Sequence, residues 1–184
     1  MYKIRDTRKL SLLLINEKRI YRIADLATLW DSLNRNSLTT TIRRYKERKI
    51  LYEVSKGIYS TVPLDKLHPY EIGCAVSGSL SYVSTETVLE KEGLIMQRIN
   101  AVTLMGEKKK EFEIAGQRFL CRYLNPKYLV NRIGIKDEIR YSIACKNRAV
   151  ADIKHVNRVY FIDNTIGFEK EEVKQVSNFL GYTI

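Results

Sequence analysis

At 184 residues the chain is long enough for one large domain or two small ones. With 45% apolar and 29% charged residues it has a globular balance, which excludes disorder, collagen-like repeats and low-complexity sequence. Its 32 Lys and Arg against 21 Asp and Glu give a net charge of +11, which favours a polyanionic partner, nucleic acid first. No apolar run approaches the roughly 18 residues that span a bilayer, so membrane insertion is not expected. Near the amino terminus the longest apolar run, Leu12 to Ile15, is too short for a secretory signal, and a cytoplasmic location is expected. Cys74, Cys121 and Cys145 are widely spaced without a CxxC pair, which predicts neither a disulfide framework nor a zinc site but small buried residues.

In chain order, Thr7 to Lys18 has the apolar spacing of a helix, with Leu10, Leu13, Leu14 and Glu17 on one face. Ile23 to Trp30 predicts a short second helix with Ile23, Leu26, Ala27 and Trp30 on one face. After a turn at Asp31 to Asn36, a third helix runs from Ser37 to Lys49, capped by Asn36 or Ser37 and burying Leu38, Ile42 and Tyr45. Two strands follow, Ile50 to Val54 and Ile58 to Val62, joined by Ser55-Lys56-Gly57. Three helices and a hairpin are the order of a winged helix-turn-helix. The charge concentrates there: residues 1–62 hold 14 Lys and Arg against 6 Asp and Glu, and residues 63–184 hold 18 against 15.

Pro63 and Pro69 bracket a short polar segment, which predicts a boundary between a DNA-binding domain of residues 1–66 and a second domain of residues 67–184. In the latter, Tyr70 to Val76 reads as a helix, Gly78 to Ser81 as a loop, and Ser84 as the N-cap of a helix that Gly93 stops after Glu92. Strands are expected at Asn100 to Met105, Lys110 to Ile114 and Arg118 to Leu124, and more weakly at Tyr128 to Ile133 and Glu138 to Ile143. A helix over Ala144 to His155, a strand over Val159 to Ile162 and a helix over Glu169 to Leu180 close the chain. The fold class expected is α+β, a winged helix-turn-helix followed by a mixed α/β domain.

If Leu38, Ile42 and Tyr45 face inward, about 100° per residue places Asn36, Thr40, Arg43, Arg44 and Glu47 on the opposite face. Small polar groups beside guanidinium groups can read base edges and hold phosphates in a major groove, and Lys56 at the hairpin tip adds a phosphate contact. The DNA-binding residues expected are therefore Asn36, Thr40, Arg43, Arg44 and Lys56. The bland alternative for the same residues is a solvated helix face.

Enzymatic signals are sparse, so the protein is not expected to be an enzyme, and no cofactor, catalytic residue or metal ligand is assigned. His68 and His155 lack cysteine or acid partners at ligand spacing and read as structural. Gly78-Ser79 is similar to the start of a nucleotidyltransferase site, but no acid pair follows to hold magnesium. GxxxxGK[ST], GxGxxG and GxSxG are all missing. Glu111, Glu113 and Asp137 with Lys109 leave open a winged-helix nuclease of a mobile element, although solvent-facing strand charges explain them more simply.

Three stretches resemble the AbiEi-type antitoxins of bacterial type IV toxin-antitoxin systems. KGIYSTV, Lys56 to Val62, is similar to the family's basic-Gly-x-Tyr wing strand. SYVSTETVLEKEGLI, Ser81 to Ile95, resembles its Gly-Tyr-x-Ser-x-x-(Ser/Thr)-Ala-Leu-x-x-His-Gly-Leu-(Ile) segment at Tyr82, Ser84, Leu89, Gly93 and Leu94, with Glu92 in place of the His. YSIACKNRAVAD, Tyr141 to Asp152, resembles its Ala-x-x-Glu-Lys-Ala-x-x-Asp helix at Ala144, Arg148, Ala149 and Asp152, with Asn147 in place of the Glu. The resemblance implies a DNA-binding antitoxin that represses its own operon at inverted repeats of double-stranded DNA. It also implies a second domain that counteracts a nucleotidyltransferase toxin, with or without a stable complex. A stand-alone regulator with a ligand-sensing second domain is the remaining alternative.

Overall fold

The computed structural model describes residues 2–183, with side chains from residue 7 onward. It is an α+β structure in two compact units that divide between Ile72 and Gly73, and each is described by itself.

The first unit contains α1 (Tyr2–Ile15), β1 (Ile20–Arg22), α2 (Ile23–Leu29), α3 (Arg35–Glu47), β2 (Tyr52–Ser55) and β3 (Ile58–Ser60). The strands form an antiparallel sheet in the order β1-β3-β2. The strand β1 was not expected, because Ile-Tyr-Arg abuts α2 without a turn residue between them. The first helix ends earlier than its apolar spacing predicts, since Asn16 turns the chain by accepting the Lys18 amide on Oδ1 at 3.0 Å. Its inward residue is Leu13, with Leu12 packed beside it, while Leu14 is 74% exposed instead of buried.

Asn34, not Asn36 or Ser37, caps α3: its Oδ1 accepts the backbone amides of Asn36 at 2.9 Å and Ser37 at 3.1 Å. That satisfies two otherwise orphaned donors of the first turn. Leu38, Ile42 and Tyr45 are buried as the spacing predicts, with Tyr45 edge-on to Trp30 at 5.5 Å between ring centroids. Trp30 Nε1 donates to the Lys9 carbonyl at 3.2 Å, which fastens α1 to this core. Emptying it should be costly. Ile42→Ala is expected to destabilise the unit by about 2–5 kcal/mol, read as a shift in the chemical denaturation midpoint. A loss below about 1 kcal/mol would mean that this face of α3 is not packed.

A short 3₁₀ turn at Leu64–Lys66 leads to α4 (Pro69–Ser77), which starts on its proline because a first-turn residue needs no amide donor. The division between units falls inside α4. Its Gly73 meets Leu104 and Phe119 so closely that a Cβ would lie 3.0 and 3.1 Å from their side chains, which ties this half of the helix to the second unit.

The second unit is built on a mixed sheet ordered β6-β7-β5-β4-β9-β8. Its elements are β4 (Tyr82–Val83), α5 (Glu86–Lys91), β5 (Val102–Gly106), β6 (Lys110–Ile114), β7 (Gln117–Tyr123), α6 (Pro126–Leu129), β8 (Ile135–Asp137), β9 (Ser142–Ala144), α7 (Lys146–Val156) and α8 (Lys170–Leu180). Parallel pairing of β5 with β7 and of β4 with β9 puts the most buried strands in the middle.

Several expectations are corrected here. Ser84 does not cap α5. Thr85 holds that position with φ +53° and ψ −131°, a conformation unfavourable for a β-branched residue. Tyr128 to Ile133 is not a strand, because Asn125 Oδ1 accepts the Lys127 amide and Pro126 opens the short helix α6. The strand expected over Glu138 to Ile143 forms only at its end, where Ser142 and Ile143 enter β9; before them a turn closed by Glu138 N to Tyr141 O at 2.9 Å separates β8 from β9. Val159 to Ile162 is irregular, since Tyr160 N bonds back to Asn157 O at 3.1 Å and leaves Val159 and Phe161 exposed. Cys74 and Cys121 are buried, and burial pushes the Cys74 thiol up to about 11, but Cys145 is exposed at the start of α7. Among the described residues no helix is long and apolar enough to cross a membrane.

Candidate nucleic-acid interface

In the first unit, α2 starts where Asp25 Oδ2 accepts the Arg22 amide at 2.9 Å, and Lys18 Nζ holds the same oxygen at 2.7 Å. These contacts lower the Asp25 pKa; burial, the largest single influence, acts in the opposite direction and is outweighed. Next, α3 presents Asn36, Thr40, Arg43, Arg44 and Glu47 to solvent, on the side away from Leu38, Ile42 and Tyr45. Asn36 lies in the first turn, inside the helix rather than at its cap. Arg43 Nε is 3.9 Å from Glu47 Oε1, an exposed i,i+4 pair too weak to hold the guanidinium against a phosphate. The Arg44 guanidinium lies 5.9 Å from the Tyr45 ring centroid, a cation–π contact at an exposed site. One basic group is diverted from this face: Lys46 pairs with Glu53 and so links α3 to β2.

Lys56 is exposed on the turn between β2 and β3, beside Gly57 with φ +78°. The Gly57 carbonyl accepts the Ile23 amide at 3.0 Å, so the hairpin is anchored to the start of α2. Four of the expected residues thus share one helix face, and the fifth comes from a hairpin tied to the preceding helix. Lys56→Ala is expected to weaken binding equally on specific and random duplex DNA. It should also reduce the slope of log K against log salt by about one unit, as for one lost phosphate contact. A loss confined to one sequence would instead assign Lys56 to base reading.

The second unit contains a polar site that spacing alone does not reveal. Arg148 and Asp152, one turn apart on α7, are both fully buried, with Arg148 Nε 2.9 Å from Asp152 Oδ1. The remaining guanidinium donors reach the carbonyls of Asn131 at 3.1 Å and Ile133 at 2.9 Å and the Tyr82 hydroxyl at 2.6 Å. Asp152 accepts from Tyr182 OH at 2.7 Å, Ser84 Oγ at 2.7 Å and Tyr82 OH at 3.0 Å. Burial alone would lower the Arg148 pKa, but Asp152 and the tyrosine oxygens outweigh it and hold the guanidinium charged. Burial, reinforced by Asp152, raises the pKa of Tyr82 and Tyr182, so both remain phenols able to donate. Every donor of Arg148 and both oxygens of Asp152 are engaged, which suits a structural clamp and leaves no group for chemistry. Tyr82 and Ser84 lie in the stretch Ser81 to Ile95 and Arg148 and Asp152 in the stretch Tyr141 to Asp152, and here they meet. Of the departures from that pattern, Glu92 is exposed, and Asn147 donates through Nδ2 to Glu172 on α8.

The acids considered for a nuclease do not converge. Glu111 and Glu113 lie on β6 and Asp137 on β8, opposite edges of the six-stranded sheet, roughly 24 Å apart at about 4.8 Å per strand. Glu111 pairs with Arg118 and Asp137 with Arg132. Of the histidines, His155 stacks on Tyr182 at 4.0 Å, and burial lowers its pKa.

No family model and no curated protein matches the chain. Among solved structures, the crystal structure of the RV2827C protein from Mycobacterium tuberculosis is similar in fold, with a TM-score of 0.51 at 11% sequence identity. The likeness covers 98% of this chain and 72% of that one.

Proposed function

We propose that the protein is a cytoplasmic double-stranded-DNA-binding regulator whose first unit is a winged helix-turn-helix, with α3 as recognition helix and the β2–β3 hairpin as wing. The observation that carries this reading is the solvent-facing row of Asn36, Thr40, Arg43 and Arg44 on a helix whose other face is locked into a core. Short polar groups near the helix start permit close approach to base edges, and the guanidinium groups one turn later can take guanine or phosphate. The concentration of positive charge in residues 1–62 supplies the sequence-independent part of the affinity.

Following the resemblance of its three motif stretches, we further propose that it is an antitoxin of the AbiEi type. It would repress its own operon at inverted repeats and counteract a nucleotidyltransferase toxin through the second unit, without being an enzyme itself. The meeting of Tyr82 and Ser84 with Arg148 and Asp152 supports this, because four residues from two of the three resembling stretches form one clamp. Two measurements test the proposal. Fluorescence anisotropy should show the protein binding the duplex upstream of its own gene at least a thousandfold more tightly than a shuffled duplex at the same salt. Expression from a foreign promoter should relieve growth arrest by a nucleotidyltransferase encoded beside it. Equal affinity for both duplexes would overturn the regulator, and persistent arrest would overturn the antitoxin.

A further inference from the structure

The carboxy-terminal part of the second unit carries a groove that the DNA-binding reading does not use. At one end is an open pocket of about 330 Å³ with Val150, Ile162, Phe168 and Val173 in its lining. Tyr160 and Phe161 contribute further aromatic surface, and Thr165 a hydroxyl. An adjoining hollow shares Lys154, Lys170 and Val173 with it and adds Arg158 and Lys174. Two cations therefore come from the end of α7 and the residues just beyond it, and two from the first turns of α8.

These four cations sit on a unit whose charge is otherwise nearly balanced, and none forms an ion pair among the described residues. Lys154 Nζ donates to the Tyr160 carbonyl at 2.6 Å and Arg158 Nη2 to the Thr183 carbonyl at 3.2 Å, which positions both without neutralising either. Lys170 and Lys174 stand at i,i+4, a like-charge spacing that destabilises a bare helix and is relieved by a bound anion. Four positive charges beside an apolar, aromatic pocket of small-molecule size call for a ligand with a flat apolar part and several negative charges.

We propose that this groove binds a nucleoside polyphosphate, with the base against Tyr160, Phe161 and Phe168 and the phosphates on Lys154, Arg158, Lys170 and Lys174. A fatty acid would leave three of the four cations unmatched, and inorganic phosphate would leave the aromatic surface unused. Duplex DNA keeps its bases stacked within the helix and cannot place one in the pocket. The inference does not rest on the DNA-binding reading and would make the second unit responsive to a small molecule.

The full-length protein is titrated calorimetrically at low salt with ATP, GTP, adenosine and inorganic tripolyphosphate. At least one nucleotide is expected to bind with a Kd below about 1 mM, with adenosine and tripolyphosphate at least about tenfold weaker. Lys170→Glu with Lys174→Glu should weaken the nucleotide at least about tenfold. Phe161→Ala should weaken the nucleotide while leaving tripolyphosphate unchanged. Arg158→Ala, at an exposed position past the helix end, provides the same test with a smaller loss if the double charge reversal does not fold. Arg43→Ala with Arg44→Ala should bind nucleotide as the unaltered protein does, which separates this site from the first unit. Any of these results overturns the proposal: no nucleotide binding, undiminished nucleotide binding after the lysine, arginine or Phe161 changes in the groove, or tripolyphosphate binding as tightly as nucleotide. Tighter, groove-dependent binding of an acidic peptide carrying one Phe would overturn it in favour of a protein partner.

Discussion

Asp152→Ala is expected to cost the second unit about 3–5 kcal/mol, a large share of the roughly 5–15 kcal/mol that holds a domain folded. The substitution removes the carboxylate that receives Arg148, Tyr82, Ser84 and Tyr182 and strands a guanidinium in a site without water access. The large figure belongs to the uncompensated charge rather than to the pair. Accordingly Arg148→Met combined with Asp152→Leu should be less damaging than Asp152→Ala alone, which distinguishes loss of a counterion from loss of packing. Urea denaturation followed by circular dichroism gives both numbers. A cost for Asp152→Ala below about 1 kcal/mol would mean that the clamp does not hold this unit together.

Arg43→Ala with Arg44→Ala is expected to weaken the proposed binding to the duplex upstream of its own gene by roughly thirtyfold to twenty-thousandfold, since each lost base or phosphate contact removes about 1–3 kcal/mol. Stability should change by less than about 1 kcal/mol, because both side chains are exposed and the Tyr45 ring beside Arg44 stays buried through its own packing. Anisotropy and thermal melting on the same preparation separate the two effects. Undiminished operator affinity in the folded double variant would remove α3 from the interface.

Local patterns made much of the first unit legible. The period of Leu38, Ile42 and Tyr45 sets which way α3 faces, and that same period sends Asn36, Thr40, Arg43 and Arg44 outward. The cap position is not legible, because Asn34, Asn36 and Ser37 all have capping side chains and only the backbone path selects among them. Short strands failed differently. Neither Ile20–Arg22 nor Tyr82–Val83 is long enough to show a period of two, and both owe their conformation to strands distant in sequence. In the same way Tyr128 to Ile133 has strand-forming side chains, yet the Asn125-Pro126 start overrides them. The buried clamp was least legible. Arg148 and Asp152 at i,i+4 read like any exposed ion pair on a helix, and their burial depends on Tyr82, Ser84 and Tyr182 arriving from elsewhere in the chain. The motif resemblance marked four of these residues, but as separate stretches rather than as one site.

The six-stranded sheet also bears on how this protein behaves when crowded. Its β8 edge offers three residues, too few to template a lasting pairing with another chain. The β6 edge is longer, and there exposed Lys110 sits opposite Cys121 with its ammonium over the Phe112 ring at 4.9 Å, so a charge stands beside the apolar face of an edge strand. A foreign strand adding to β6 would have to cover that charge and strip its water, and Glu111 and Glu113 impose a similar cost on the other face. The sheet is therefore guarded against strand-by-strand polymerisation at both ends, by brevity at β8 and by charge at β6.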